Sequence, residues 1–231
     1  MILIPTKGGD LAVLEHERDH CISRWAARTG DLSDYDPRIR QILCQLIPVG
    51  GVVVDGGAYI GDHTLAFAER VGPLGHVWAF EVYLEALQCL FYNTQDLPQV
   101  EVVPAALSDQ RGALNLVIDH VIGSNTRVRD VVDPSAGIPS VTLDSFQFDR
   151  LDFMKIDVEG YELKALRGAE QTIRRHRPII VTESGILLER YGDSHEDLLA
   201  FMAGLNYTAE QLPLLYPGGD VFDMLFQPAV T

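Results

Sequence analysis

Cysteine is scarce in this chain, and the three that are present form no recognisable site. Cys21, Cys44 and Cys89 lie far apart among the 231 residues, and no two of them make a C-x-x-C pair. This spacing excludes the common zinc and dithiol redox motifs. Because separated thiols in odd number are typical of a reducing compartment, we expect a cytoplasmic protein.

Long apolar runs and basic residues are also missing. No stretch reaches the about 18 apolar residues of a membrane-spanning helix, and the first 20 residues do not resemble a secretion signal. Only 18 Lys and Arg stand against 33 Asp and Glu, so the net charge is −15. Since nucleic acids and anionic membranes attract basic surfaces, we expect neither as a partner.

Short apolar segments that alternate with amphipathic segments indicate an α/β domain with a mostly parallel sheet. The predicted strands are residues 52–55, 77–81, 100–107, 153–157 and 178–183. The predicted helices between them are residues 62–71, 83–93 and 161–176. In the second of these helices we expect Leu84, Leu87 and Phe91 to face the core.

Further elements are expected at both ends of the chain and in an insertion at residues 108–145. Residues 113–119 favour a strand, residues 123–139 a loop and residues 140–146 an extended piece. A capped helix should begin at Ser194 and end near Gly204, followed by two antiparallel strands near Tyr207 and at residues 221–226. We interpret residues 1–48, with a helix at 37–47, as a flanking segment, and residues 49–231 as one globular domain.

The segment VVVDGGAYIGDHT, residues 52–64, places glycines directly after the first predicted strand of the sheet. Ligands of open α/β sheets bind at the carboxyl ends of the strands. Gly56, Gly57 and Gly61 would let a ligand lie against the main chain, or would simply allow a tight turn. Both interpretations stay open at this point.

A dinucleotide is a poor ligand for this loop, which lacks the G-x-G-x-x-G pattern. Asp55 and Asp62 would face its phosphates, and at a dielectric of about 20 each repulsion at about 4 Å costs about 4 kcal/mol. A cationic ligand is favoured instead. Glu81, at the end of the next strand, can accept both ribose hydroxyls in a bidentate hydrogen bond. S-adenosylmethionine is a nucleoside that carries such a positive charge.

Several segments together resemble the FkbM-type family of class I methyltransferases. They are VVVDGGAYIGDHT, AFE at 79–81, VVPAALSD at 102–109, SVTLD at 140–144, MKIDVEGYELKALRG at 154–168 and IIVTES at 179–184. The resemblance implies a Rossmann-like fold, with a mostly parallel seven-stranded sheet, helices on both faces and an antiparallel C-terminal strand. It also implies O-methylation of a hydroxyl on a sugar, polyketide or other small metabolite. Tyr59, where the family usually has Asn, and Val82, where Pro is usual, depart from its pattern.

The resemblance assigns cofactor contacts by position. Asp55 would face the ammonium of S-adenosylmethionine, Glu81 the ribose, and Thr64 would add a hydrogen bond. The main chain of the loop would hold the methionine part through Gly56, Gly57, Ala58, Tyr59 and Gly61. The adenine would be covered by Val82, Tyr83, Ala106 and Leu107, and Tyr35 and Asp36 would reach the cofactor from the flanking segment.

Three acids at neighbouring strand ends are the catalytic candidates. Methyl transfer requires the acceptor oxygen in line with the sulfonium, and a base within hydrogen-bond reach helps to remove its proton. Asp157 is the first candidate base and Glu159 the second, with Glu183 as an orienting or metal-binding partner, and Lys155 can pair with one of them. The same acids also suit a divalent ion such as Mg²⁺.

Competing interpretations remain on the sequence alone. A nucleotide-dependent oxidoreductase and a non-catalytic nucleoside-binding module share this type of sheet, and HERDH at residues 16–20 matches a zinc motif five residues long. Residues 123–130 and 187–195 should shape the acceptor site. Arg127 and Arg129 would meet an acidic substrate or merely offset the acidic surface. The apolar strand at 221–226 suits either the core or a homodimer interface.

Overall fold

A computed structural model describes residues 1–6, 9–15, 19, 22–32, 37–117, 127–130, 137–213 and 219–229 of the chain. The strands, in chain order, are β1 (Ile2–Thr6), β2 (Gly9–Val13), β3 (Val52–Gly56), β4 (His76–Phe80), β5 (Val100–Val103), β6 (Ala106–Leu107), β7 (Gly112–Val117), β8 (Arg127–Asp130), β9 (Ile138–Val141), β10 (Phe153–Ile156), β11 (Ile179–Gly185), β12 (Tyr207–Gln211) and β13 (Val221–Pro228). The helices are α1 (Ile22–Thr29), α2 (Pro37–Leu46), α3 (Asp62–Val71), α4 (Leu84–Thr94), α5 (Glu162–Arg167), α6 (Glu170–His176) and α7 (His195–Gly204). Short 3₁₀ turns cover Gly72–Leu74, Leu143–Phe146 and Ile186–Tyr191.

The central sheet confirms the predicted fold class. Its seven described strands run in the order β12-β13-β11-β10-β3-β4-β5. The five strands from β11 to β5 are parallel, and β13 is antiparallel to both of its neighbours. Strand β13 therefore lies inside the sheet, where Met224, Leu225 and Phe226 belong to the core rather than to an exposed interface.

Helices cover both faces of this sheet because its central strands are apolar on both sides. One row of paired residues, Val77, Val53, Phe153 and Ile179, faces α2 and α3. The adjacent row, Trp78, Val54, Met154 and Ile180, faces the side of α5, α6 and α7. The alternation along each strand sends neighbouring side chains to opposite faces.

The insertion forms a second, four-stranded sheet in the order β6-β9-β7-β8. Three predictions were wrong here. The extended piece expected at residues 140–146 is strand only to Val141, and residues 143–146 form a 3₁₀ turn. The strand expected at 100–107 is divided at Pro104 into β5, which pairs with β4 in the central sheet, and β6, which pairs with β9 in the second sheet. Residues 127–130, expected to be loop, form an edge strand against β7, while residues 123–126 lie outside the described part of the chain.

Two helix predictions also need correction. The helix expected at 161–176 is two helices, separated at Gly168 and Ala169, and a Cβ at Gly168 would overlap the carbonyl of Ser108. In α4 the buried face is Ala86, Leu87 and Leu90, whereas Leu84 and Phe91 are 64% and 50% exposed. That helix is apolar nearly all round, so periodicity alone did not identify its inner face.

The elements before α2 pack beside the glycine loop. The β1–β2 hairpin and α1, which were not predicted, join Tyr59, Ile60 and Tyr83 in one apolar cluster. Asn93 of α4 ties the layers together: its amide accepts a hydrogen bond from the Ala12 nitrogen and donates to the carbonyls of Ala12 and Ile60. The helix predicted at 37–47 is confirmed as α2.

The C-terminal predictions are confirmed. Ser194 and Asp197 form a reciprocal capping box at the start of α7, which ends at Gly204. Strands β12 and β13 pair antiparallel, as expected. No helix in the described ranges has the length and apolar character needed to cross a membrane.

Candidate active site

The carboxyl ends of four adjacent strands gather the acids that the sequence singled out. In the order β11-β10-β3-β4 these ends carry Glu183, Asp157, Asp55 and Glu81. The glycine loop, residues 56–61, lies directly above β3 and leads into α3. The structure thus brings the candidate cofactor residues and the candidate catalytic acids to one edge of the sheet.

The loop directs its main-chain donors toward the end of β4. The nitrogens of Gly57 and Ala58 donate to the Phe80 carbonyl at 3.0 and 2.9 Å, and the nitrogen of Tyr59 donates to Glu81 Oε2 at 2.7 Å. A phosphate-binding loop needs such nitrogens to point at its ligand. Three successive donors are already engaged within the chain, so this loop is not built for a pyrophosphate.

Glu81 is buried and organises the rim of the site. Its Oε1 accepts hydrogen bonds from the nitrogens of Val82 and Tyr83, at 2.7 and 2.8 Å, in addition to the bond from Tyr59. Burial raises the pKa of this carboxyl, and the three main-chain bonds oppose that rise. Because a carboxylate has about four acceptor positions, one position on Oε2 is left for a ribose hydroxyl rather than the two expected.

Gly57 occupies a position of the loop where no side chain fits. Its φ of +80° is in the left-handed region, and a Cβ there would overlap the main-chain oxygen of Asp157. Glycine is therefore required by the chain's own packing, which is the turn interpretation. The same contact sets the loop directly against the main chain of the first candidate base.

Asp55 is fully buried beneath the loop. Its Oδ2 accepts a 2.6 Å hydrogen bond from the hydroxyl of Thr64, which is also fully buried, and within the described residues no donor reaches Oδ1. Burial raises the pKa of Asp55 to about 6, against the opposing charge of Lys155 and the bond from Thr64. The hydroxyl of Thr64 is thus engaged by Asp55.

Lys155 confirms the predicted pairing with a carboxylate. Its Nζ lies 2.9 Å from Asp157 Oδ2. Burial alone would lower the pKa of Lys155, but the charges of Asp157 and Asp55 raise it above its ordinary value. The lysine is therefore a fixed cation between the two acids.

The predicted adenine residues divide into two groups. Val82 and Ala106 lie in one apolar cluster with Leu114, Val128 and Tyr161. Leu107 points into the main core instead, and Tyr83 points into the cluster formed with the N-terminal elements. Tyr59 also points there and has a φ of +50°, a conformation that Asn adopts more readily than Tyr.

A compact acidic cluster lies where β10, β11 and α5 meet. Asp157, Glu162 and Glu183 each offer one oxygen, and these oxygens lie within 4.8 Å of one another. Glu159, which the sequence placed in such a group, has a φ of +60°, and its Oε2 lies 3.6 Å from the Arg190 guanidinium. Glu162 takes its place, because the first turn of α5 folds this side chain back under the loop.

Burial and mutual repulsion weaken the acidity of these carboxyls. Burial, followed by the charge of Asp157, raises the pKa of Glu159 to about 8. Burial raises the pKa of Glu162 to about 7 in spite of its main-chain hydrogen bonds. The pKa of Glu183 is raised by burial and then by the charges of Asp157 and Glu162. Carboxyls in such surroundings are suited to proton transfer or to a cation.

The two segments expected to shape the acceptor site are joined beside this cluster. The hydroxyl of Tyr191, in the 3₁₀ turn Ile186–Tyr191, donates to the Val128 carbonyl of β8. The Tyr191 ring packs edge-on against Tyr161, with centroids 4.9 Å apart. Tyr191 and Glu162 were both missed in the sequence, where one is a lone aromatic and the other an ordinary first-turn acid. Tyr35, Asp36 and the HERDH residues other than Asp19 lie outside the described residues.

A family model described as "Methyltransferase FkbM domain" matches residues 55–209, which is more than half of the chain. The chain belongs to the FkbM methyltransferase-domain family. This confirms the resemblance drawn from the glycine loop and the KIDVEGYE segment. The FkbM family is S-adenosylmethionine-dependent. An acidic loop whose main-chain donors are engaged within the chain, with Glu81 at its rim, fits that cofactor.

Solved structures share the fold at low sequence identity. An rRNA methylase from Streptococcus thermophilus has a TM-score of 0.53 and 15% identity, with 83% of this chain and 95% of that chain covered. A methyltransferase FkbM from Methylobacillus flagellatus KT has a TM-score of 0.52 and 18% identity, covering 81% of this chain and 50% of that one. Aeropyrum pernix fibrillarin, solved with natively bound S-adenosyl-L-methionine, has a TM-score of 0.51 and 9% identity, covering 79% and 68%. A sequence search of curated proteins finds no match.

Proposed function

We propose that this FkbM-family methyltransferase is an O-methyltransferase that acts on a hydroxyl of a sugar or another small metabolite. The observation that carries the proposal is the contact between Gly57 and Asp157. The contact is with the main chain of Asp157, and it supports a position for this residue beside the loop that would hold the cofactor's methionine part. A hydroxyl acceptor needs a base, since its proton must leave as the methyl group arrives.

Each residue would have a distinct task in this reaction. When bound, S-adenosylmethionine supplies an electrophilic methyl group. Glu81 and the main chain of residues 56–61 would hold it, with Asp55 toward its ammonium and Val82 and Ala106 against its adenine. Lys155 holds Asp157 Oδ2, so that the other oxygen of Asp157 remains to accept the hydroxyl proton.

Glu159 and Glu183 are the supporting acids of the proposal. A base is most effective when its pKa lies near the working pH, and burial brings the pKa of Glu159 to about 8. Glu183, on the neighbouring strand, would hold an acceptor hydroxyl with its Oε2, which no donor reaches within the described residues. The wall formed by Tyr191 and β8 would bound the acceptor, and Arg127 lies on that strand.

A small acceptor is favoured over RNA, although rRNA methylases share the fold. The net charge of −15 would repel a phosphate backbone. An oxidoreductase is disfavoured by the engaged donors of the loop, since a dinucleotide would find no free cluster of main-chain nitrogens there. A non-catalytic nucleoside-binding module would bind the cofactor but transfer nothing.

Tritiated S-adenosylmethionine tests these alternatives with a panel of hydroxylated metabolites and with RNA. We expect transfer to at least one small hydroxyl compound. Asp157→Asn should lower this rate about 10²-fold or more, the range of a general base, while the affinity for S-adenosylhomocysteine stays the same. Asp96→Asn, an exposed acid on the same domain, is the control. Transfer to RNA alone, or an unaffected Asp157→Asn variant, would contradict the proposal.

Three further predictions accompany the proposed activity. Residues 1–48 are proposed to border the cofactor, a role supported by the packing of the hairpin and α1 on Tyr59 and Tyr83. A cytoplasmic location is supported by the free thiols of Cys44 and Cys89. A homodimer stays a prediction for sedimentation analysis, although β13 no longer argues for it because that strand is core.

A further inference from the structure

The acidic cluster at the end of β10 contains more negative charge than its protein neighbours balance. Asp157, Glu162 and Glu183 direct one oxygen each into a space less than 5 Å across, all within 4.8 Å of one another. Lys155 contacts Asp157, and Arg190 contacts Glu159. In the described ranges, no ion pair involves Glu162 or Glu183.

Glu162 is the most informative member of the cluster. The residue is only 1% exposed, and its Oε1 accepts hydrogen bonds from the nitrogens of Val158 and Gly160 at 2.9 and 3.0 Å. These bonds fix the side chain through Oε1 alone. Considering the residues that the structure describes, no donor reaches Oε2, and the same is true of Glu183 Oε2.

Such an arrangement of ionised carboxylates is costly unless the carboxyls hold protons or a cation completes it. A buried carboxylate oxygen without a partner forfeits its hydration, and several like charges in one hollow add repulsion. A structural role does not require it, because capping the turn at residues 158–160 uses only Oε1 of Glu162. In the described part of the chain, the Oε2 atoms of Glu162 and Glu183 are left without a structural explanation.

We propose that Asp157, Glu162 and Glu183 bind one hard divalent cation of the Mg²⁺ type. Carboxylate oxygens are the ligands that such ions prefer, and opposite ligands of an octahedral Mg²⁺ ion are about 4.2 Å apart. The spread of the three oxygens is compatible with that geometry. Two strand ends and a helix turn supply the ligands, so the site is complete within one chain.

The proposed role of this cation rests on the proposed methyl transfer, in which the ion would bind the acceptor. Three protein oxygens leave about three positions of an octahedral ion for water or for oxygens of the acceptor. An acceptor hydroxyl on the ion would be held at the strand end where Asp157 lies, and it would lose its proton more readily. That proton would go to Asp157, the base of the proposed methyl transfer.

Manganese provides a direct probe that needs no cofactor or acceptor. Protein stripped with a chelator is titrated with Mn²⁺, and the free ion is followed by electron paramagnetic resonance. We expect one Mn²⁺ per chain, displaced by Mg²⁺. Glu162→Gln and Glu183→Gln should each weaken binding at least tenfold, and Glu210→Gln, an exposed acid on β12, should leave it unchanged.

The two Gln variants lie on different elements, and circular dichroism establishes that each is folded. Absence of Mn²⁺ binding at millimolar concentration, or equal binding by wild type and both variants, would overturn the metal site. Methyl transfer assayed with and without chelator separates the two proposals. Mn²⁺ binding without transfer to any acceptor would refute the proposed function alone, whereas full transfer in chelator without Mn²⁺ binding would refute the metal site alone.

Discussion

The hydrogen bond from Thr64 to Asp55 offers a sharp test of the buried charge network. Thr64→Val replaces the hydroxyl by a methyl group of similar size and removes this bond, whose length is 2.6 Å. A hydrogen bond to a charged group contributes about 1.5 to 3 kcal/mol, and one between neutral groups about 0.5 to 1.5 kcal/mol. The cost of the substitution therefore depends on whether Asp55 is ionised.

The pKa of Asp55 sets the pH at which this cost changes. Burial raises it from 3.8 to about 6, so the folded protein holds the proton more tightly than the unfolded chain. The stability that this protonation contributes is complete below about pH 3.8 and is lost as the pH rises through about 6. At pH 5 Asp55 is mostly neutral in the folded state, and at pH 7.5 it is mostly ionised.

Urea unfolding at these two pH values measures the effect. We expect Thr64→Val to lower the free energy of unfolding by about 1.5 to 3 kcal/mol at pH 7.5 and by roughly 1 kcal/mol less at pH 5. Thr64→Ser keeps the hydroxyl and loses one methyl group, so it should cost about 1 kcal/mol at both values. An equal loss for Thr64→Val at the two pH values, or a greater loss at pH 5, would refute the reasoning.

Three further substitutions test other parts of the site and the fold. Glu81→Gln places an amide against the Tyr59 nitrogen, so calorimetry should show S-adenosylhomocysteine binding at least about tenfold weaker. Unchanged affinity would mean that Glu81 does not contact the cofactor. Gly57→Ala should lower the free energy of unfolding by more than about 3 kcal/mol, because the new Cβ would overlap Asp157. Gly192 has a similar φ of +78° but open space around it, so Gly192→Ala should cost only about 1 to 2 kcal/mol. Equal losses for the two variants would contradict the packing argument. Ser194→Ala removes the capping box and should cost about 1 kcal/mol in thermal unfolding, and no loss would mean that the cap is not formed in solution.

Features that depend only on residues close together in the chain could be predicted from the sequence. Asp55 lies near the end of the apolar strand β3 and Asp157 directly follows β10, which places both acids at the carboxyl edge of a parallel sheet. The capping box at Ser194 needs only the residues of one helix turn. Lys155, a lone cation within an apolar strand, required an acid nearby, and Asp157 is two positions away.

Features that depend on distant packing could not be predicted. Gly168, at the break between α5 and α6, must be small because it packs against the carbonyl of Ser108, which is distant along the chain. Glu162 has the appearance of an acid that complements a helix dipole, and only its folding back beneath residues 158–160 turns it into the cluster. The glycines of the loop suggested a ligand, yet the need for Gly57 comes from the Asp157 main chain.

The central claim is that the loop after β3 and Glu81 hold a cationic nucleoside without phosphates. Calorimetric titration of the wild-type chain with S-adenosylmethionine and with NAD tests it most directly. We expect one S-adenosylmethionine bound per chain, displaced by S-adenosylhomocysteine, and no measurable heat with NAD. Binding of NAD, or indifference to millimolar S-adenosylmethionine, would contradict it.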